Sequence, residues 1–71
     1  MMSLKNAKEG VEYTIKDITT NDEELKAFLL TLGCYSGENV TVIAHKGKNH
    51  VIAIKDGRYN IDGNLAEAIL V

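Results

Sequence analysis

The chain is 71 residues long, carries 8 Lys and Arg against 10 Asp and Glu for a formal net charge of −2, and contains 45% hydrophobic residues. A chain of this size makes one domain, residues 1–71, in which roughly 60% of the unfolded surface can be buried, too little interior for an enclosed active site. A slightly acidic balance with scattered basic residues and few aromatics argues against nucleic acid, because phosphate binding needs clustered Lys and Arg and base stacking needs aromatic platforms.

The first element in chain order is a strand. Tyr13-Thr14-Ile15-Lys16-Asp17-Ile18 begins with clean alternation that places Tyr13 and Ile15 on one face. Ile18 breaks the period, so a bend or bulge near Asp17 is expected. A helix follows, with Leu25, Phe28, Leu29 and Leu32 at the i, i+3, i+4, i+7 spacing that aligns four side chains on one face to be buried. Thr20 or Asn21 can cap it, each with a glutamate three residues on, Glu23 or Glu24, to complete a capping box. Gly33 is the expected stop, since a left-handed residue is cheapest without a Cβ. The acidic cluster Asp22, Glu23 and Glu24 is explained by the positive end of the helix dipole.

Ser36-Gly37 then turns the chain into the β-branched run Val40-Thr41-Val42-Ile43. The segments from Val40 to Ala44 and from Val51 to Lys55 flank the polar stretch Lys46-Gly47-Lys48-Asn49, which reads as a hairpin with its turn at Gly47-Lys48. Asp56-Gly57 is a second hairpin signal, expected to pair Lys55 with Arg58 and to launch a strand through Tyr59 and Ile61. Asn64 and Glu67 form another possible capping pair for one helical turn before Ile69-Leu70-Val71 closes as a last strand. About five short strands with one helix inserted after the first make a mainly β domain, which would most economically curl into a small barrel without exposed edges.

The lone Cys34 permits no intramolecular disulfide, which suggests a reducing compartment. The N-terminal Met-Met-Ser-Leu-Lys leads straight into polar residues, unlike a signal peptide. No apolar run approaches the roughly 20 residues needed to cross a bilayer, so a cytoplasmic protein without direct membrane insertion is expected. Cys34 follows a helix C-terminus, where the dipole disfavours a thiolate, and reads as a small apolar plug rather than a nucleophile. Lys46 and Lys48 beside Gly47 lack the spacing and the following helix of a phosphate loop. An enzyme is the weakest reading of the chain.

Two local features point to binding. A two-residue or four-residue loop centred on Gly47-Lys48 would oppose His45 and His50 with Cβ atoms about 4.5–5.5 Å apart, close enough for two imidazoles to share one ion. Two ligands are too few for a closed zinc site, but the pair could hold Zn(II), Ni(II) or Cu(II), and Fe(II) more weakly. The same register places Thr41, Ile43, His45, His50, Ile52 and Ile54 on one face and Val40, Val42, Ala44, Val51 and Ala53 on the other. Both faces carry apolar residues, so Ile43, Ile52 and Ile54 either lie under the helix or form an exposed docking patch. Leu32 and Tyr35, at the end of the helix, are the further candidates for partner binding.

The order Leu4, Gly10, Tyr13-Thr14-Ile15 and Ile18, then Leu29 and Leu32-Gly33-Cys34-Tyr35-Ser36-Gly37-Glu38-Asn39-Val40, then Asp56-Gly57 and Ala66-Glu67-Ala68-Ile69-Leu70-Val71 resembles the FeoA family over nearly the whole chain. The most specific piece is the leucine-glycine helix ending with a second glycine four residues later and a valine-rich strand behind it. The resemblance implies an SH3-like barrel with the helix inserted after the first strand. It also implies a non-catalytic cytosolic accessory protein of bacterial ferrous-iron transport. The partner so implied is FeoB, a membrane transporter with a GTPase domain, and no resident cofactor is required. A related domain closes repressors of the diphtheria-toxin-repressor type. Here Ser36 stands where proline often precedes the glycine, and Ile61-Asp62 replaces a common leucine-arginine pair, removing a positive charge. Homo-oligomerisation is compatible with the pattern. The alternative to an adaptor is a standalone metal-binding module using His45 and His50.

Overall fold

A computed structural model describes all residues from Met1 to Val71. After a single 3-10 turn at Leu4–Asn6, the strands are β1 (Glu12–Thr14), β2 (Asp17–Ile18), β3 (Asn39–Lys46), β4 (Asn49–Ile54), β5 (Gly57–Asp62) and β6 (Ile69–Leu70). Helix α1 (Glu23–Leu32) lies between β2 and β3, and the shorter α2 (Gly63–Ala68) between β5 and β6. The strands form a four-stranded antiparallel sheet in the order β1-β3-β4-β5 and a separate antiparallel pair, β2-β6.

The expected first strand is therefore two strands. The break falls at Ile15-Lys16, where the chain passes from one sheet to the other: Ile15 N–H donates to Glu38 O at 2.8 Å and Lys16 N–H to Leu70 O at 2.7 Å. This transfer joins the two sheets around one core without a continuous ring of strand pairing. The outer edge of β5 thus pairs with no strand, which corrects the expectation of an edgeless barrel. The core comprises Leu4, Ile15, Ile18, Leu29, Cys34, Val40, Val42, Ile52, Ile54, Ile61, Ile69 and Val71 with three alanines.

The N-cap of helix α1 falls one residue after Asn21 and two after Thr20, the expected caps. Asp22, rather than Thr20 or Asn21, is the N-cap, and its carboxylate Oδ1 accepts from Glu24 N–H at 3.0 Å and Leu25 N–H at 3.1 Å. Thr20 instead accepts from Asp22 N–H and orients the cap. A carboxylate here satisfies two orphan donors and also meets the helix dipole, whereas a threonine hydroxyl does only the former. Asp22→Ala is expected to lower stability by about 1 kcal/mol, read from the shift of a urea midpoint at unchanged slope. Gly33 ends the helix as expected, with φ 99° and the paired hydrogen bonds Cys34 N–H to Leu29 O and Gly33 N–H to Leu30 O of a Schellman ending. Asp62, not Asn64, caps α2 by accepting from Leu65 N–H at 2.9 Å.

The apolar face of α1 is only partly covered. Leu29 is fully buried and Leu25 and Leu32 pack against the core, but Phe28 remains 48% exposed. The second hairpin also departs from expectation: Ile54 pairs with Gly57 and Ala53 with Arg58, so the turn is Lys55-Asp56, with Lys55 at φ 51°. The observed and expected registers differ by two residues and bury the same faces, so alternation cannot choose between them.

The most consequential irregularity is a bulge in β3. Val40 and Val42 pair with Ile54 and Ile52, but beyond the bulge Ala44 pairs with Val51 and His45 with His50. The extra residue reverses which side chains of β3 face inward. Val40 and Val42 face the core before it, and His45 shares the face of buried His50 after it. The face assignment drawn from uninterrupted alternation therefore fails for β3: Thr41 and Ile43 do not share a face with Ile52 and Ile54. Ile52 and Ile54, 0% and 1% exposed, are core residues and form no docking patch.

Candidate functional site

The β3–β4 hairpin closes through the two-residue turn Gly47-Lys48, with Gly47 at φ 60°, and this sets His45 opposite His50 as the spacing predicts. The imidazole centroids are 4.6 Å apart in an edge-to-face arrangement with an interplanar angle of 68°. The two rings sit in different surroundings. His50 is 4% exposed, and its Nε2 lies 3.4 Å from the carbonyl oxygen of Lys5. The other nitrogen of His50, Nδ1, is buried without a hydrogen-bond partner. His45 is exposed, and its Nδ1 lies 2.8 Å from Glu9 Oε2.

Glu9 is absent from the sequence-based candidates. It stands 36 residues from His45, and no spacing rule connects them. The bulge supplies the link. Gly10 N–H donates to Val42 O at 2.9 Å, and Glu9 forms a bridge with Val42, so the N-terminal segment crosses β3 where its regular pairing is interrupted. The same Glu9 oxygen also accepts from His45 N–H at 2.8 Å. These hydrogen bonds from the His45 side chain and backbone hold the Glu9 carboxyl below the usual carboxylate range.

Beside the histidines opens a cleft of about 630 Å³, lined by both rings together with Lys5, Lys48, Asp62 and Asn64 and by no hydrophobic side chain. Asp62 is engaged in capping α2, and Lys5 Nζ reaches Glu67 at 3.4 Å. No three residues among His, Cys, Asp and Glu converge as a closed metal cage anywhere in the chain. Cys34 lies far from this arrangement in role: it is fully buried, and burial pushes its thiol up to about 11. Its expected role as an apolar plug agrees with that environment. Cys34 should resist a thiol reagent at pH 8 in the native protein and react once urea unfolds it. Because the folded thiol ionises later than the unfolded one, its contribution to stability should fall as pH rises from about 9 to about 11.

The remaining sequence candidates lie around the end of α1 and on the β3–β4 hairpin. Tyr35 is 49% exposed, and Lys55 Nζ stands 5.7 Å over its ring. Leu32 is half-buried and Phe28 lies one turn earlier on the same helix face, while Tyr35 follows the Gly33 ending of the helix. Phe28 was not separable from the buried helix positions by periodicity, because spacing alone does not show where the sheet beneath the helix ends. Ile43, the bulge residue, is 37% exposed.

No helix is long and apolar enough to cross a membrane. A small two-sheet β fold with a helix inserted between β2 and β3, packed around one core, is the architecture of prokaryotic SH3-like domains. The Stenotrophomonas maltophilia FeoA, a prokaryotic SH3 domain protein solved in complex with zinc, is similar over 100% of this chain and 89% of its own, with a TM-score of 0.90 and 17% identity. The FeoA of Chlorobium tepidum gives a TM-score of 0.86 at 18% identity over 97% of this chain and 67% of its own. A manganese-dependent transcriptional repressor gives 0.87 at 19% identity over 94% of this chain, which spans only 38% of the repressor. Among curated proteins none matches the sequence significantly. The family model described as FeoA domain matches residues 2–71, and the chain belongs to the FeoA family.

Proposed function

We propose that the protein is a non-catalytic, cytosolic accessory protein of ferrous-iron transport that binds the cytosolic region of an FeoB-type transporter and biases its working state. The observation that carries this reading is the match to the FeoA domain over residues 2–71. The architecture supports it. Both clefts of the surface, at the histidine hairpin and beside Glu12, Glu38 and Lys55, are open and lined mostly by polar residues, and exposed Phe28 and Tyr35 offer side chains for docking. A ligand shifts a two-state transporter only by the difference in its affinity for the two states, and the adaptor is proposed to work through such a difference.

The docking surface proposed comprises Phe28, Leu32, Tyr35 and Lys55. Exposed aromatics beside a cation are the residue types that concentrate binding energy at interfaces. The test is an amide NMR titration of the labelled chain with the cytosolic domain of the cognate transporter. Shifts confined to α1 and the Tyr35 turn support both the partner and the face. Saturation with shifts centred on Ile43 supports the partner and moves the face, and no response at stoichiometric excess overturns the adaptor reading.

A further inference from the structure

We propose that His45 and His50 form an open binding site for a divalent transition metal, with Glu9 and the Lys5 carbonyl acting as positioning groups that preset both imidazole tautomers. This inference is independent of the transporter partner.

The argument rests on what each ring nitrogen faces. A carboxylate and a carbonyl oxygen can only accept, so a neutral imidazole hydrogen-bonded to either must present its N–H to it. His45 Nδ1 faces the Glu9 carboxylate at 2.8 Å, and His50 Nε2 faces the Lys5 carbonyl at 3.4 Å. The protons are thereby assigned to His45 Nδ1 and His50 Nε2, and the lone pairs to His45 Nε2 and His50 Nδ1. His50 Nδ1 is the one buried side-chain polar atom of the chain without a hydrogen-bond partner. An unpaired buried acceptor costs free energy that a bound cation would recover.

The spacing and access fit that occupant. Two metal–nitrogen bonds of about 2.0–2.1 Å at a tetrahedral angle separate the donor nitrogens by about 3.4 Å. The ring centroids are 4.6 Å apart and cross-strand pairing holds the two backbones together, so the proposed site requires only the side chains to close to this separation. The polar cleft beside them gives an ion a path and room for water at its remaining positions. Glu9 stands to His45 as a carboxylate stands to a metal-bound histidine, accepting the distal N–H and raising the basicity of the other nitrogen. Neutral imidazoles favour Cu(II), Ni(II) and Zn(II) over Fe(II).

The experiment uses the intact chain. Long-range 1H–15N spectra of the metal-free protein read each tautomer directly, and the expected pattern is Nδ1–H on His45 and Nε2–H on His50. The opposite tautomer on either ring overturns the proposal, whatever any variant does. Zinc alone is then titrated, and the largest ring shifts are expected at His45 Nε2 and His50 Nδ1, saturating at one ion per chain. His45→Ala should weaken zinc binding by at least about tenfold, and Glu9→Ala by about tenfold while the fold is retained, with Glu9→Gln recovering much of the loss because its amide oxygen still accepts. Zinc binding unchanged in His45→Ala would locate the ion elsewhere and end the proposal, as would the absence of any saturable binding.

Discussion

Ile52→Ala is expected to destabilise the fold by about 2–5 kcal/mol, whereas Ile43→Ala should change stability by no more than about 0.5 kcal/mol. The two isoleucines are chemically identical and both sit in the β3–β4 hairpin. Ile52 is fully buried opposite Val42, and its truncation leaves a cavity among Val42, Ile54 and their neighbours in the core. Ile43 is the extra residue of the bulge and 37% exposed, so its truncation removes little buried area. Small domains have only about 5–15 kcal/mol of stability, so the first substitution should consume a large share of it. Urea unfolding followed by circular dichroism separates the two cases. Equal costs at both positions would mean that β3 runs without the bulge, and with it would go the placement of Glu9 beside His45.

The second large effect is on recognition. Phe28→Asp should weaken binding to the transporter's cytosolic domain by about 30-fold or more, corresponding to the loss of an interface anchor of about 2 kcal/mol. The substitution places a charge in the proposed docking surface while leaving Leu29, the buried anchor of α1, untouched. Stability should fall by about 1 kcal/mol, through loss of the part of the Phe28 ring that is covered. Isothermal titration calorimetry gives the affinity, and a thermal melt establishes that the variant is folded. Retained affinity here, with loss in Ile43→Asp, would transfer the docking surface to the bulge.

These two results bear on different relations between sequence and fold. Gly33 was legible as the helix stop because its requirement is local: a left-handed residue after Leu32. The His45–His50 pairing was legible for the same reason, since the two-residue turn at Gly47-Lys48 sets the register of the residues beside it. The inward face of β3 was not. Alternation holds only while pairing is uninterrupted, and nothing in Val40-Thr41-Val42-Ile43 marks which residue is extra. The turn at Lys55-Asp56 escaped because a two-residue shift of register buries the same side chains, leaving Asp56-Gly57 the stronger local signal.

The candidate site shows the same division. Both histidines could be found along the chain, but Glu9, the Lys5 carbonyl and the cleft could not. Phe28 could be placed on the apolar face of α1, but its exposure depends on how far the sheet extends beneath that face. The sequence by itself determined the order of elements, the helix with its glycine ending, the histidine pair and the family, because each rests on residues close together or on a pattern spread along the whole chain. Only the tertiary structure decided which isoleucines are core, which apolar side chains stay exposed and which buried ring nitrogen lacks a hydrogen-bond partner. Those depend on contacts between segments tens of residues apart, and a single extra residue in β3 sets several of them.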